Sequence, residues 1–195
     1  PTFRNELYDA YKANREAPPP DFGVQMGWVL QLLQAMGIAV YSMDGFEADD
    51  LIGTMARTMA EQGRAVIVSA DKDLLQLVTD RVHLLRPGLN ETILYDPTRV
   101  REQLGIRPDQ MIDWLALVGD SSDNIPGVPG IGQKTATTLL QEYDTLERLL
   151  ARAGELKRPK QRQALLENAE QARLAQRLAA IDCDVPLVWS PADCR

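Results

Sequence analysis

The sequence predicts an α/β core followed by a helical region. Three observations carry this reading. Short apolar runs at 38–43 and 65–69 alternate with helix-patterned segments, which makes β-α-β the repeating unit. Glycine and proline punctuate those segments at their ends. After the last strand pattern, near residue 95, the chain is helical for nearly all its remaining length, around one Gly/Pro-rich hairpin.

The elements follow in order. Residues 1–20 are polar and basic, with Arg4, Lys12 and Arg15 ahead of Pro18-Pro19-Pro20, so they read as a short helical or mobile segment ending in a turn. Asp21 is placed as an N-cap for a helix over 24–36, in which Val24, Trp28, Leu32 and Met36 recur at helical spacing and Gly37 is the stop. A strand is expected at 38–43, a helix at 48–62 closed by Gly63, and a buried strand at 65–69. Two more strands, 82–86 and 92–95, flank a Pro87-Gly88 turn. Helices at 111–118 and 135–143 bracket the hairpin. Amphipathic helices follow at 146–150, 161–168 and 172–180, and 185–189 is expected to return as a strand. The domains expected are a core over 1–110, a helical region over 111–180 and a return to the core over 181–195. The sheet is expected to be mostly parallel, with helices on its faces.

With 195 residues, 45% hydrophobic and 25% charged, the chain can bury a substantial core as one domain with a helical appendage. No apolar run approaches the roughly 18 residues of a membrane span and no signal sequence opens the chain, so the expected location is cytoplasmic, away from membranes. Cys183 and Cys194 lack metal-ligand spacing and read as free thiols. Pro1 is not an initiator methionine, and the chain is expected to be part of something longer. The net charge of -7 argues against a nucleic-acid partner at first sight. Its distribution weakens that objection, because residues 124–175 carry eight Lys/Arg against six Asp/Glu, leaving the deficit in the remainder.

Chemistry concentrates between Gly119 and Ala136. Asp120 and Asp123 stand directly before a hairpin containing Gly127, Gly130, Gly132 and Lys134. The carboxylates suit a metal, and the glycine amides with Lys134 suit a phosphate. A nucleotide-binding P-loop is excluded because Gln133 separates Gly132 from the lysine, and a dinucleotide fingerprint because Thr135 replaces the third glycine. A helix-hairpin-helix remains.

Two further acidic patterns precede it. Glu47, Asp49 and Asp50 open a helix, where acids also serve simply as caps. Asp71 and Asp73 follow the 65–69 strand at its carboxyl end, where α/β sheets bind ligands, and Glu47 follows the 38–43 strand toward the same edge. Asp96 before Pro97 reads as a helix-start residue. Such a concentration of carboxylates repels itself unless hard divalent cations such as Mg2+ or Mn2+ relieve it. Two such ions suit phosphodiester hydrolysis. His83, the only histidine, sits on an apolar strand pattern and is expected to pack or face solvent, and no Ser-His-Asp or Cys-His set can be assembled.

Three stretches carry a family resemblance: Gly45-Phe-Glu47-Ala-Asp49-Asp50-Leu-Ile-Gly53, Ser69-Ala-Asp71-Lys-Asp73-Leu-Leu, and Gly119-Asp120-Ser-Ser-Asp123-Asn-Ile-Pro-Gly-Val-Pro-Gly-Ile-Gly132. Together with Phe3-Arg4 to Tyr11-Lys12, they resemble the 5'-nuclease domains of bacterial DNA polymerase I, in the flap endonuclease family. The resemblance runs to about Asp184-Val-Pro-Leu187. It implies a PIN-like core with a helix-hairpin-helix (helix-three-turn-helix) region, and a 5'-3' exonuclease or flap endonuclease that acts on DNA flaps, nicks and 5' ends, or on primer RNA, in replication and repair.

By the same resemblance, Glu47, Asp49, Asp50 and Asp71 surround a first metal ion, and Asp73, Asp120 and Asp123 a second. Arg4, Lys12 and Arg15 belong to a basic arch that contacts the scissile phosphate. Gly127, Gly130, Gly132, Lys134 and Thr135 hold duplex DNA, and Val128 and Ile131 offer backbone carbonyls to K+. A covalent polymerase domain and a nucleoid-associated location are implied too. Two earlier aspartates of the family pattern have no counterpart in this sequence, and an upstream portion is expected to supply them. The competing expectations are a non-catalytic module that binds DNA structure and a PIN-type ribonuclease.

Overall fold

The computed structural model describes residues 1–190, so Cys194 and the last five residues of the 181–195 segment lie outside the described residues. Helices α1 (Phe3–Leu7), α2 (Phe22–Ala35) and α3 (Ala48–Gln62) precede strand β1 (Ala65–Val68). A 3-10 helix, Asp73–Leu77, leads to β2 (Val82–Arg86) and β3 (Ile93–Tyr95). Helices α4 (Pro97–Leu104), α5 (Met111–Val118), α6 (Gln133–Tyr143), α7 (Leu146–Ala151), α8 (Pro159–Glu167) and α9 (Ala169–Ala179) complete the order.

The described sheet runs β1-β2-β3. β1 pairs parallel with β2, Ala65 opposite Val82 and Val68 opposite Leu85, whereas β2 and β3 are antiparallel. Asp71 and Asp73 therefore emerge at the carboxyl end of β1, as expected.

Two expected strands do not form. Residues 38–43 join no strand, because no described strand lies alongside to complete a ladder, and Ile38 and Val40 are exposed. The α2 stripe of Val24, Trp28, Leu32 and Met36 is also exposed, Trp28 by 65%. Apolar residues occupy nearly every face of α2, a pattern for burial on several sides, and nothing among the described residues covers it. Residues 185–189 form no strand either, since Pro186 has no N–H for a ladder. Val185 instead buries its side chain and donates its N–H to Thr54 Oγ1 at 3.1 Å.

One apolar cluster underlies both halves, from Leu74, Leu84 and Tyr95 through Met111 and Leu115 to Leu140, Leu165 and Leu178. Asp113, buried in α5, ties the helical region together: it accepts from Leu146 N at 2.9 Å and from Gln176 Nε2 at 2.6 Å. Trp114 adds a bond from Nε1 to Thr137 Oγ1 of α6, at 3.1 Å.

A buried ion pair closes the fold across its full length. Arg4 of α1 forks onto both oxygens of Asp50 in α3, at 2.8 and 2.7 Å, and also donates to the carbonyls of Leu178 and Ala180. Asp50 further accepts from the amides of Glu47 and Asp182, at 3.0 and 2.9 Å. Burial pushes the Asp50 carboxyl up, but these hydrogen bonds and the guanidinium outweigh it and hold it below the usual carboxylate range. Its contribution is thus present above the ordinary aspartate pKa and is lost as pH falls through the depressed value. Asp50→Asn, which strands Arg4, should cost about 3 kcal/mol in denaturant unfolding with chelator present, and should flatten the acid limb of the stability profile. An unchanged midpoint and acid limb would show the pair to be idle.

Candidate active site

The carboxylates of the three acidic motifs reach one neighbourhood by three routes. Glu47 and Asp49 stand at the start of α3, Asp71 and Asp73 beyond β1, and Asp120 and Asp123 in the loop after α5. Burial, then the charges of Asp71 and Glu47, raise Asp49. Burial, then Asp120 and Asp71, push Asp73 up to about 7. Like charges thus couple the motifs across the fold.

Asp50 and Arg4 do not belong to this set. Asp50 is fully buried and its oxygens are filled by Arg4 and two amides, so the capping role weighed for the helix-start acids holds for this residue, and it has no room for a metal. Arg4, 3% exposed, cannot reach a substrate phosphate.

Lys12 and Arg15 are accessible, and both sit on carboxylates. Lys12 Nζ lies 2.6 Å from Glu47 Oε2 and 3.4 Å from Asp123 Oδ2, while Arg15 donates to Asp123 Oδ1 at 2.7 Å. Tyr11 completes the bridge. Its hydroxyl lies 3.1 Å from both Glu47 Oε2 and Asp123 Oδ2 and donates to one or the other, and burial beside two anions keeps the phenol protonated.

Backbone contacts fix this bridge. Lys12 N donates to Asp123 O at 3.0 Å, Asn124 Nδ2 to Ala10 O at 2.6 Å, and Asn14 Nδ2 to Ser121 O at 2.7 Å. Lys12 and Asn124 both hold a φ of 56°, a left-handed conformation that costs a non-glycine residue about 1 kcal/mol. The mutual hydrogen bonds hold both residues in that conformation.

Asp120 and Asp73 are different. Asp120 Oδ1 accepts from the amide and hydroxyl of Ser122, at 2.8 and 2.7 Å. Burial raises Asp120, but Ser122 and Lys72, whose Nζ is 3.2 Å from Oδ2, bring it below the usual range. Asp73 Oδ1 is buried with no partner, and Asp120 Oδ2 is buried with only the half-exposed Lys72 ammonium beside it. Two such carboxylate oxygens on mutually repelling residues are a donor set suited to a hard cation, which takes oxygen ligands and cancels the repulsion. Among the described residues no three His, Cys, Asp or Glu side chains already converge closely enough to hold an ion by themselves. A cleft of about 320 Å³ opens beside Asp120, lined also by Lys72, Ser121, Trp114 and Gln133, and connects this centre to the start of α6.

The hairpin is built on contacts that only glycine permits. Gly119, at φ +80°, and Gly127 lie so close that a Cβ on Gly127 would meet Val118 O at 2.3 Å and Gly119 N at 2.6 Å. Asp120 and Ile125 exchange backbone bonds at 2.9 and 2.7 Å, and Val128 N donates to Leu117 O at 2.8 Å. Val128 and Ile131 bury their side chains, and Ile131 N closes the turn on Val128 O at 3.0 Å. Gly130, Gly132 and Lys134 are exposed around it, with Thr135 half-buried. His83 lies half-buried on β2.

Sequence reasoning passed over Tyr11 and Lys72. Each had a signal: Tyr11 precedes Lys12, and Lys72 separates Asp71 from Asp73.

Comparison with known proteins places the whole chain. Residues 1–105 match the family model described as 5'-3' exonuclease, N-terminal resolvase-like domain, and residues 106–195 the one described as 5'-3' exonuclease, C-terminal SAM fold. DNA polymerase I of Rhizobium leguminosarum is 47% identical over 187 residues, 95% of this chain and 18% of that protein. The thermostable DNA polymerase I of Thermus aquaticus is 43% identical over 188 residues, 96% of this chain and 22% of that protein. The chain thus spans about a fifth of the length of these relatives. Among solved structures, T5 5'-exonuclease with bound zinc superposes at a TM-score of 0.79 with 22% identity, covering 93% of this chain and 70% of that one. The catalytic core of Rad2 in complex with DNA substrate gives 0.59 with 18% identity, covering 95% and 64%. These two likenesses concern the fold.

The glycine contacts predict an ordered pair of costs. Gly127→Ala drives a methyl into backbone and should lower unfolding stability by about 3 kcal/mol. Gly130→Ala, at φ +77° with open space around it, should lose only about 1 kcal/mol. Equal losses in chemical denaturation would contradict the packing described.

Proposed function

The chain belongs to the 5'-3' exonuclease family, and on that premise we propose that it is a divalent-metal-dependent, structure-selective 5' nuclease hydrolysing phosphodiester bonds at DNA 5' ends, nicks and flaps in replication and repair. The observation that carries the reading is the pair of buried oxygens, Asp73 Oδ1 with no partner and Asp120 Oδ2 beside Lys72 alone, in a carboxylate set that opens by a cleft toward the glycine hairpin.

Two Mg2+ or Mn2+ ions are the cofactors that suit these donors. Asp73, Asp120 and Asp123 would hold one, and Glu47, Asp49 and Asp71 the other. Such ions supply an activated water and neutralise charge on a phosphodiester under attack. The chain's own residues prepare the site. Ser122 fixes Asp120 through its first oxygen, so that the second, which lies beside Lys72, would be available to the cation. Lys12 and Tyr11 hold Glu47 and Asp123 together, and Lys12 and Arg15 are the accessible cations for the scissile phosphate and the 5' strand. Gly127, Gly130, Gly132, Lys134 and Thr135 form the grip on duplex backbone, with the carbonyls of Val128 and Ile131 offered to K+.

The polymerase I relatives support a covalent polymerase partner, and DNA, with primer RNA as a second strand chemistry, as substrate. No helix among the described residues is long and apolar enough to cross a membrane. A cytoplasmic, nucleoid-associated site of action suits such a substrate. A second reading, a non-catalytic module that binds DNA structure, draws on the absence of a ready three-residue ligand group among the described residues.

A 5'-labelled flap substrate separates the two. Cleavage with Mg2+ that stops in excess chelator is the expected result, whereas binding without cutting would favour the second reading. Asp120→Asn should reduce cleavage below about one hundredth with DNA affinity largely retained. Lys134→Ala should weaken affinity and lower the salt slope by about one. Undiminished cleavage by the aspartate variant would overturn the metal assignment.

A further inference from the structure

Two of the buried aspartates are paired with cations, and the pairs differ in kind. Arg4 on Asp50 is permanent: both residues are buried, the guanidinium forks onto both oxygens, and two amides fill what remains. Lys72 on Asp120 is the opposite. Its Nζ lies 3.2 Å from Oδ2 of an aspartate that is 4% exposed, while the lysine side chain is 49% exposed. That oxygen has nothing else beside it, because Ser122 binds the other one.

The backbone that presents Lys72 is fixed. Asp71 N donates to Ser69 Oγ at 3.1 Å and Asp73 N to Asp71 Oδ1 at 2.9 Å, and the 3-10 helix that follows buries Leu74 and Leu75. Lys72 thus stands between two acids assigned to the ions and reaches across to a third, on the loop after α5. Burial and the charges of Asp120 and Asp71 push Asp73 up, and Lys72 works against them. One ammonium therefore relieves two carboxylates. The cleft of about 320 Å³ beside Asp120 is lined by Lys72 itself, so the side chain has open space into which it can withdraw.

We propose that Lys72 is a tethered placeholder for a divalent cation: its ammonium balances Asp120 before any ion binds, and an ion entering beside Asp73 and Asp120 displaces it into the cleft. The inference rests on the metal assignment of the nuclease reading and adds to it a residue that sets how readily the ion enters. Lysine suits this exchange, because a compact point charge on a flexible stem, held at one oxygen, leaves more easily than a forked guanidinium. No covalent bond changes. Binding of Mg2+ or Mn2+ must break the ion pair, while the chain without an ion is stabilised by it, so removing the lysine charge acts in opposite directions on the two states.

The test compares Lys72→Gln with the unsubstituted full chain, without substrate. In chelator the thermal midpoint of the variant should fall by about 2 to 4 °C. Mn2+, followed by electron paramagnetic resonance, should bind to it about threefold more tightly or better. Acetylation of Lys72 by an amine reagent, read by mass spectrometry in the unsubstituted chain, should be several-fold faster in Mg2+ than in chelator, and equally fast in both for Asp120→Asn. Lower stability with unchanged or weaker Mn2+ binding would mark a structural lysine, and tighter binding with unchanged stability a distant charge acting through solvent. Either result, or Lys72 labelling that ignores Mg2+ while Mn2+ still binds, overturns this inference alone. Absence of Mn2+ binding by the unsubstituted chain overturns it together with the metal assignment.

Discussion

Mutual repulsion among buried and half-buried carboxylates is the constraint on which the rest of this structure depends. The seven acidic side chains expected to act stand at the carboxyl end of β1, the start of α3 and the loop after α5, and they are balanced to different degrees. Asp50 is balanced completely, by a buried fork from Arg4, and serves the fold. Glu47 and Asp123 are balanced by the buried Tyr11 and by Lys12 and Arg15, accessible cations that a ligand can displace. Asp120 is half-balanced by Ser122 and Lys72. Asp73 keeps a buried oxygen with no partner at all. That gradient, from full to absent compensation, separates structural acids from the acids available to a metal.

The same arrangement couples chemistry to grip. Gly119 and Gly127 press backbone against backbone, so the loop bearing Asp120 and Asp123 and the turn bearing Gly130 and Lys134 cannot move independently. Helices α5 and α6 on either side share the core that also supports β1 and β2. A duplex held at the hairpin is therefore held at a fixed place relative to the carboxylates, and positioning of this kind is worth many kilocalories in phosphoryl chemistry.

Much of this was legible in the sequence. Helix α3, the strands β1 and β2, and helix α5 followed from apolar periodicity and glycine stops, and the acidic motifs announced themselves by residue type. What periodicity could not register was tertiary balance. Asp49 and Asp50 are adjacent and chemically identical, and only the fold decides that one meets Arg4 while the other faces Asp71. Arg4 looked like a phosphate contact because its partner lies 46 residues away. The 38–43 and 185–189 runs had strand composition, but a strand needs a neighbour with free N–H and C=O groups, and that is a property of the assembled sheet. Tyr11 was hidden for the opposite reason, since an aromatic reads as core until its hydroxyl is seen between two carboxylates.

The claim that the buried oxygens of Asp73 and Asp120 mark the metal's place is tested most directly by Mn2+ binding, followed by electron paramagnetic resonance, without any substrate. The full chain should remove Mn2+ from solution stoichiometrically, and Asp73→Asn combined with Asp120→Asn should abolish that component while the fold persists. Equal Mn2+ binding by the double variant would contradict the account and move the metal elsewhere.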